Sequence, residues 1–393
     1  MKKLLVYSHD TYGLGNIRRM LAICEHLLEV IPGLSILLVT GSPVIHSLRL
    51  PALLDYIKLP CLTRTARGEY RTKYLSESLE DAIRLRSDLI LATAANFKPD
   101  LLMVDKKPFG VKGELAATLE HLAATQPQAA RVLILRDILD SPEIIRANWR
   151  RNGHYEAVER FYDAVLVLGG RGVFDPVREY DFPPLVAAKT EFCGYVRKEP
   201  GQHSREEMRC QLQIGDGQRL ALVTSGGGQD GFALIETYLA AARAGLPEGL
   251  KSLIVCGPEM PAAQRMQLQQ QAAADAEILF REFAGDMMSL MAAADVVVSM
   301  GGYNTVCEIL SLRKSAIVVP RAEPTEEQWI RADRLSRLGF FRSVAPNELT
   351  PERLQRELAQ TLGRGEHSFP NINLNALPTV AARVNSLLFD RQS

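Results

Sequence analysis

Apolar runs of strand length alternate with longer stretches of helical period along the whole chain. Short, β-branched-rich runs without polar alternation, separated by helices, are typical of parallel strands buried on both faces. The pattern therefore predicts an α/β protein with two doubly wound, Rossmann-like parallel sheets facing a cleft. The runs are KLLVYSH, SILLVTG, DLLMVD, RVLILRD and AVLVLGG in the first half, and RLALVTS, SLIVCGP, AEILFREF, DVVVSM and AIVVPR in the second.

The stretch EFCGYVRKEPGQHSREEM between the halves combines glycine, proline and charge, and it predicts a hinge near residues 197–203. We expect an N-terminal domain over 1–197, a C-terminal domain over 198–370, and a last helix within 371–393 that could pack back on the first domain. The segments between strands predict a long helix ending near Asn96 and one helical stretch over EIIRANWRRNGHYEAVERF.

Composition narrows the function classes. Lys+Arg and Asp+Glu both number 46, so the net charge is zero, which argues against a protein that coats nucleic acid by bulk charge. The six cysteines show no CxxC pair and no His/Cys ligand spacing, so we expect a reduced, cytoplasmic chain without a metal site. No apolar stretch is long enough to span a bilayer, and peripheral contact with the inner face of the membrane stays open.

Two glycine turns follow strands in the second half: Gly226, Gly227 and Gly228 after RLALVTS, and Gly301 with Gly302 after DVVVSM. Glycine can serve a turn that needs unusual dihedral angles, or it can let an anionic group approach a helix N-terminus. The sequence alone leaves both interpretations open.

Three side chains follow the second turn. Asn304 and Thr305 could cap the new helix, and Glu308 lies one turn further on the face of Thr305. A carboxylate there could accept hydrogen bonds from a ribose diol, or it could simply interact with the helix dipole.

A third strand-end loop, VPRAEPTEEQWIRAD, leads into a helix predicted to begin near Thr325. Glu327 and Gln328 in its first turn could bind sugar hydroxyls or act as dipole partners. Arg321 could bind an anionic oxygen or form a surface ion pair.

The segment from Phe283 to Ala332 resembles the donor half of GT-B glycosyltransferases, in the family 28-like branch that includes peptidoglycan N-acetylglucosaminyltransferase and monogalactosyldiacylglycerol synthase. The branch pattern G-x-x-T-x-x-E fits Gly302, Thr305 and Glu308. DTYGLG, VDKKPFGVKGEL, LRDILDSPE and MGGYNTVCEIL also resemble an uncharacterised group of predicted bacterial glycosyltransferases. The resemblance implies a UDP-sugar donor, with the nucleobase flanked by Phe283 to Met287.

The first βα turn, SHDTYGLGNIRRM, contains Gly13, Gly15, Asn16 and Arg19. It resembles the G-x-G-H-x-x-R turn on the acceptor side of the same superfamily, but Asn16 stands where the pattern has histidine. Asparagine cannot take up a proton at neutral pH, so a catalytic base must come from elsewhere.

His9, Asp10 and Asp105 are the candidate bases, because each follows a strand of the first half. The alternatives are a histidine that is satisfied within the loop and aspartates that cap turns or helices; Asp137 has the same ambiguity.

Two basic stretches complete the candidates. TRTARGEYRTKY could meet a phosphorylated or lipid-linked acceptor, or it could be a solvated loop. Trp149 beside Arg150 and Arg151 could touch a membrane, or it could belong to an ordinary exposed helix.

The combined prediction is an enzyme that transfers a hexose or N-acetylhexosamine from a UDP-sugar to the hydroxyl of an unknown acceptor, without metal or other cofactor. The alternatives are a GT-B epimerase or hydrolase acting on the nucleotide sugar, and a non-catalytic nucleotide-sugar-binding protein. A dehydrogenase fits less well, because Arg18 stands where a dinucleotide fingerprint has its third glycine.

Overall fold

The computed structural model describes residues 1–9, 15–64, 69–321, 323–363 and 369–390. It divides into two compact units: unit 1 comprises Met1–Val196 and Asn375–Ser393, and unit 2 comprises Arg197–Leu374. The predicted ranges of 1–197 and 198–370 end one residue and four residues away from these limits.

Unit 1 contains a seven-stranded sheet of parallel strands in the order β3-β2-β1-β6-β7-β8-β9, together with a separate antiparallel hairpin of β4 and β5. The strand interiors are apolar on both faces because helices cover both sides of such a sheet. The strands are β1 (Lys2–Ser8), β2 (Leu34–Thr40), β3 (Leu54–Lys58), β4 (Leu62–Arg64), β5 (Tyr70–Thr72), β6 (Leu101–Asp105), β7 (Ala130–Arg136), β8 (Ala164–Leu168) and β9 (Thr190–Phe192).

The helices of unit 1 include the last helix of the chain, which packs against the first helix. Ser78 caps the second helix by accepting a hydrogen bond from the backbone N–H of Asp81 at 3.1 Å. The helices are α1 (Gly15–Val30), α2 (Leu79–Phe97), α3 (Ala116–Thr125), α4 (Pro142–Arg151), α5 (His154–Phe161), α6 (Pro176–Glu179), α7 (Pro184–Ala188) and α15 (Ala376–Phe389).

Unit 2 contains a six-stranded parallel sheet in the order β12-β11-β10-β13-β14-β15. Its strands are β10 (Arg219–Thr224), β11 (Leu250–Val255), β12 (Ile278–Arg281), β13 (Val296–Ser299), β14 (Ala316–Val318) and β15 (Arg342–Ser343). Its helices are α8 (Arg205–Gln211), α9 (Phe232–Arg243), α10 (Ala262–Ala272), α11 (Met287–Ala293), α12 (Tyr303–Leu312), α13 (Glu327–Arg337) and α14 (Pro351–Gly363).

The strand order places the switch point of each sheet. In unit 2 the order reverses between β10 and β13, and in unit 1 it reverses between β1 and β6. Ligands of open α/β sheets bind beyond the carboxyl ends of the strands at such a point. The loops that follow β1, β6, β10 and β13 are therefore where the fold predicts ligand sites.

The two Rossmann-like parallel sheets confirm the predicted fold class, while several elements differ from the sequence analysis. It did not anticipate β3, the β4–β5 hairpin, β15 or α14. The single helix predicted over EIIRANWRRNGHYEAVERF was wrong, because Gly153, at φ 62°, separates α4 from α5. The left-handed conformation suits glycine and interrupts the helix.

Candidate functional site

The two glycine turns of unit 2 lie together at the switch point. β10 and β13 are paired with Thr224 opposite Ser299, so the turns that follow them leave the same edge of the sheet. A Cβ atom added at Gly226 would lie 3.8 Å from Thr305 Oγ1, which joins the first turn to the helix start after the second. Segments that are about eighty residues apart in the chain thus line one site.

Gly228 has a structural reason to be glycine. Its φ is 99°, and a Cβ atom there would lie 2.4 Å from the carbonyl oxygen of Cys256. Gly227 is also close to its neighbours, with Glu259 Oε2 at 2.9 Å from an added Cβ, and its carbonyl oxygen accepts a hydrogen bond from Glu259 N. The backbone contact with Cys256 accounts for Gly228 without any ligand, whereas the neighbour of Gly227 is only the end of the flexible Glu259 side chain.

Gly301 and Gly302 differ sharply from each other. A Cβ atom at Gly301 would lie 3.0 Å from the carbonyl oxygen of Gln328 and 3.3 Å from Pro320 Cβ, so that glycine is tightly packed. Gly302 has φ −64° and ψ 143°, which any residue adopts, and within the described part of the chain no atom lies within 4 Å of an added Cβ. The open backbone at Gly302 is what the approach of a ligand to the chain requires.

Gly302 is also the N-cap residue of α12, so the prediction that Asn304 or Thr305 caps the helix was wrong. Both side chains lie in the first turn, and Glu308 follows Thr305 by three residues, partly buried. The first N–H groups of a helix have no acceptor within the helix and carry the positive end of its dipole. The start of α12 therefore presents donors and partial positive charge where Gly302 leaves the backbone accessible.

An ion-pair network joins the loops around this site. Arg321 pairs with Asp230, which follows the first glycine turn, and its Nη2 lies 3.6 Å from Glu327 Oε1. The buried Arg331 donates from Nη1 to the carbonyl oxygen of Gly301 at 2.9 Å and lies 3.4 Å from Glu327 Oε2. Two cations and two carboxylates thus hold three strand-end loops in place.

The network bears on three predicted donor-site residues. Glu327 and Gln328 are 6% and 7% exposed, and Gln328 Oε1 accepts a long hydrogen bond of 3.4 Å from the backbone N–H of Arg321. Glu327 therefore has a structural task between two arginines; its contact with sugar hydroxyls stays a prediction. Arg321 is compensated by Asp230 and Glu327, and its binding to an anionic oxygen also stays a prediction.

The segment predicted to flank the nucleobase is a turn before α11. Phe283 is 52% exposed, whereas Met287 is partly buried as the first residue of the helix. Asp286 caps the helix by accepting from Ser289 N at 3.0 Å. The exposed aromatic ring does not belong to the main apolar core of unit 2, and its contact with a nucleobase stays a prediction.

In unit 1, a second buried network lies at the switch point between β1 and β6. Arg19 Nη2 donates to Asp105 Oδ1 at 2.8 Å, and both side chains are buried. Asn16 accepts from Arg19 at 3.2 Å and donates to the carbonyl oxygen of His9. Asn16, which stands where the resembling turn has histidine, thus supports the end of β1.

The candidate bases have different surroundings. Asp105 is 0% exposed and its carboxylate is paired with Arg19, so it has a structural partner, and its role as a base stays a prediction. His9 is also 0% exposed, with Nε2 3.4 Å from the hydroxyl of Tyr70. Gly15 begins α1, while Asp10 and Gly13 lie outside the described residues.

The sequence analysis missed a buried cluster of Tyr7, Arg86 and Glu114 beside the loop that follows β6. Arg86 donates from Nε to Glu114 Oε2 at 2.6 Å and from Nη2 to Oε1 at 2.7 Å. The hydroxyl of Tyr7 donates to Glu114 Oε1 at 2.5 Å, and burial and the nearby Glu114 raise the pKa of Tyr7 well above its usual value. The glutamate stands in the quoted stretch VDKKPFGVKGEL, but nothing local in the sequence identifies its partners.

The membrane interpretation of Trp149 was wrong. The indole is 2% exposed and stacks on Phe182 at a centroid distance of 5.3 Å. Of the helices in the described ranges, none combines the length and apolar character that crossing a bilayer requires. Peripheral membrane contact and a cytoplasmic location stay predictions.

Known glycosyltransferases are similar to this chain in sequence. Residues 221–381 match the glycosyltransferase family 28 C-terminal domain. An uncharacterised glycosyltransferase of Methanopyrus kandleri is 24% identical over 242 residues, which cover 58% of this chain and 65% of that protein. The UDP-N-acetylglucosamine–N-acetylmuramyl-(pentapeptide) pyrophosphoryl-undecaprenol N-acetylglucosamine transferase of Vibrio cholerae is 26% identical over 295 residues, 72% of this chain and 79% of that protein.

Solved structures extend the likeness to the whole chain. The crystal structure of MurG from Acinetobacter baumannii has a TM-score of 0.60 and 15% identity, covering 98% of this chain and 100% of that one. A UDP-GlcNAc 2-epimerase from Neisseria meningitidis, bound to UDP-GlcNAc, has a TM-score of 0.61 and 13% identity, covering 98% and 100%. At this identity the structures establish the fold, while the sequence matches point to the branch. The whole chain therefore has the GT-B fold, and residues 221–381 within it match the glycosyltransferase family 28 C-terminal domain.

Proposed function

We propose that the protein transfers a hexose or N-acetylhexosamine from a UDP-sugar to an acceptor hydroxyl. The observation that carries the proposal is Gly302, whose glycine neither dihedral angle nor packing explains, at the start of α12. The adjacent Gly226 and Thr305 supply a second face of the same site. A diphosphate bound there would meet backbone N–H groups and the positive end of the helix.

Glu308 would bind the ribose in this proposal. It lies one turn after Thr305 on the same face of α12, next to the helix start where the diphosphate would bind. A carboxylate accepts two hydroxyl hydrogen bonds, which fits a diol. UDP is proposed because the named relative from Vibrio cholerae uses a UDP-sugar.

The reaction would form a bond between the acceptor oxygen and the anomeric carbon of the sugar. The bond from that carbon to the diphosphate breaks, and UDP leaves with the electron pair. The start of α12 stabilises the negative charge that grows on the diphosphate, so we propose that the reaction needs no metal ion. A base in unit 1 accepts the hydroxyl proton.

His9 is our candidate for that base, because Asp105 is held by Arg19. Its ring is buried against Tyr70, so residues around it must move before an acceptor can reach it. Catalytic hydrogen bonds often tighten only in the substrate complex. The substitution His9→Gln should leave UDP binding in unit 2 unchanged and abolish transfer, while His121→Gln on α3 serves as the matched control.

Isothermal titration with UDP and UDP-sugars tests the donor site. We expect Glu308→Ala to weaken UDP binding by about 10-fold or more, since hydrogen bonds to a charged group contribute roughly 1.5–3 kcal/mol. Glu206→Ala, an exposed glutamate in the first turn of α8, is the control and should bind as the wild type does. Equal UDP binding by Glu308→Ala and Glu206→Ala would remove the proposed ribose contact.

A GT-B epimerase or hydrolase is the second candidate, favoured by the likeness to the epimerase fold. Incubation with a UDP-sugar alone separates the possibilities, because an epimerase or hydrolase changes the donor without an acceptor. A non-catalytic binder would bind the UDP-sugar and leave it unchanged with every acceptor.

A further inference from the structure

A cavity of about 700 Å³ lies wholly within unit 1, between the loop that follows β6 and the junction of α4 and α5. This volume is typical of a site for a small ligand. Its wall is built from polar, basic and aromatic side chains. The main contributors are Tyr70, Lys107, Phe109, Lys112, Arg151 and His154.

The cavity carries an excess of positive charge. Three cations, Lys107, Lys112 and Arg151, line it with one carboxylate, Glu69. Across the described residues, neither Lys112 nor Arg151 has an acidic side chain within 4 Å, so their charges are not compensated by an ion pair. The neighbouring Arg150, by contrast, lies outside the cavity and pairs with Asp181 at 3.5 Å.

The loop that carries the two lysines is held rigidly. Its backbone at Val111 donates to the hydroxyl of Tyr7 at 3.1 Å, and the hydroxyl of Tyr162 donates to the carbonyl oxygen of Pro108 at 2.5 Å. Glu114, at the end of the loop, forms the buried pair with Arg86. Such anchoring places the lysines before a ligand arrives, which reduces the entropic cost of binding.

The same loop contains unusual backbone conformations. Lys106 and Lys112 have φ values of 73° and 52°, in the left-handed region that non-glycine residues rarely adopt. Gly110, at φ 69°, packs so closely that an added Cβ would lie 3.0 Å from Tyr7 Oη and Leu115 Cγ. Residues held in such conformations concentrate at ligand sites, where the surrounding structure fixes them.

His154 supplies an independent observation. The side chain lines the cavity and is 5% exposed, with its ring 6.2 Å from Phe109 and 5.7 Å from Trp149. Its Nδ1 atom is buried and has no hydrogen-bond partner among the residues that the structure describes. Burial, and the nearby Lys107 charge, lower the pKa of His154 to about 4, so the ring is neutral at pH 7. A buried polar atom normally has a partner, and a bound ligand or water would provide one.

We infer that this cavity binds a phosphate ester group, held by Lys107, Lys112 and Arg151 with His154 as an additional hydrogen-bonding group. Phosphate oxygens are strong acceptors, and both arginine and lysine bind them by charge-assisted hydrogen bonds. The identification of the bound molecule as the acceptor rests on the proposed function, since the donor site lies in unit 2. The phosphate site itself does not depend on that function.

Titration with inorganic pyrophosphate, in the presence of saturating UDP, tests the cavity apart from the donor site. The double variant Lys112→Gln/Arg151→Gln changes two exposed side chains, so the fold should persist. We expect the variant to bind pyrophosphate about tenfold or more weakly than the wild type, and Arg150→Gln, the adjacent control, to bind it normally. Failure of the wild type to bind pyrophosphate, or equal binding by the double variant, would overturn the inference.

UDP titration of the same variants keeps the two proposals separate. A protein that binds pyrophosphate through this cavity but does not bind UDP would contradict the proposed donor site and support the cavity. If UDP binds normally and the double substitution leaves pyrophosphate binding unchanged, the donor site is supported and the phosphate site in the cavity is contradicted.

The source of the phosphate can then be distinguished. Glucose 1-phosphate tests a soluble ester, and phosphatidylcholine vesicles with added phosphatidic acid test a lipid-borne one. Binding that is lost in Lys112→Gln/Arg151→Gln and kept in Arg150→Gln identifies the source, and supports the inference in either case. If neither probe distinguishes the variants, a phosphate ester is not the ligand of this cavity.

Discussion

The substitution Gly302→Ala tests whether glycine is required at this position for ligand binding or for the stability of the fold. The backbone at Gly302 has φ −64° and ψ 143°, so alanine adopts it without strain. Within the described ranges, the new methyl group would meet no atom within 4 Å. It would instead occupy the space through which we propose the diphosphate approaches the start of α12.

The expected effect on stability is small because two contributions oppose each other. Alanine is a poorer N-cap residue than glycine, by roughly 0.5–1 kcal/mol. Replacing glycine also reduces the conformational entropy of the unfolded chain, which stabilises the fold by roughly 0.4–1 kcal/mol. The free energy of unfolding should therefore change by less than about 0.5 kcal/mol, and the Tm by about 2 °C or less.

The expected effect on binding is large. A methyl group at this position would push a phosphate away from the backbone N–H groups and break at least one charge-assisted hydrogen bond. With about 2 kcal/mol for such a bond, the Kd for UDP should rise roughly 30-fold. Calorimetric titration and a thermal melt of the same preparation measure both quantities.

Gly301→Ala is the matched comparison, one residue earlier. Its methyl group would lie 3.0 Å from the carbonyl oxygen of Gln328, so overpacking should reduce the free energy of unfolding by about 1–3 kcal/mol. If Gly302→Ala folds normally and binds UDP as tightly as the wild type does, the diphosphate does not bind at this backbone and the donor-site reasoning fails.

Two further predictions concern the buried ion-pair networks, and a third concerns the buried His154. Glu114→Leu should lower the free energy of unfolding by about 3–5 kcal/mol, because it leaves the guanidinium of Arg86 buried without its carboxylate partner. Chemical denaturation measures this loss, and a loss below about 1 kcal/mol would contradict a stabilising ion pair. Arg331→Leu should lower the stability of unit 2 by a similar amount, because Glu327 loses a buried partner, and it should also weaken UDP binding. An unchanged Tm and an unchanged Kd for UDP would show that the network does not hold the turn at Gly301. The pKa of His154 is about 4 in the folded protein and about 6.5 in the unfolded chain, so the unfolded chain binds more protons between these pH values. The free energy of unfolding should therefore be highest above pH 6.5 and fall by about 3 kcal/mol towards pH 4. His154→Gln should remove that part of the pH dependence, and an unchanged pH profile of unfolding would refute the shift in pKa.

The sequence predicted secondary structure correctly where the local pattern of residues determines it. Runs such as DVVVSM identified buried parallel strands, because a strand covered on both faces has no polar side and its neighbours in sequence carry that signal. Short or polar strands were missed: β15 has two residues, and β3 has the exposed positions Asp55 and Lys58. Gly153 was quoted within a helix because its left-handed conformation does not follow from local pattern alone.

The candidate bases show where sequence reasoning stops. His9 and Asp105 both follow strands, and nothing in the sequence ranks them. The structure separates them, since Arg19, eighty-six residues from Asp105, occupies its carboxylate. A partner at that separation is decided by strand order, which the local sequence does not contain.

The amino-acid sequence alone was enough to predict the alternation of strands and helices, the two parallel sheets, and the glycines, carboxylates and one histidine at strand ends. These follow from burial and from dihedral preference, which depend on each residue and its close neighbours. The folded structure was needed to show that Gly301 and Gly228 are tightly packed while Gly302 is open, and that Lys112 and Arg151 line one cavity. Both depend on distances between segments far apart in the chain, and such distances exist only once the sheets have formed.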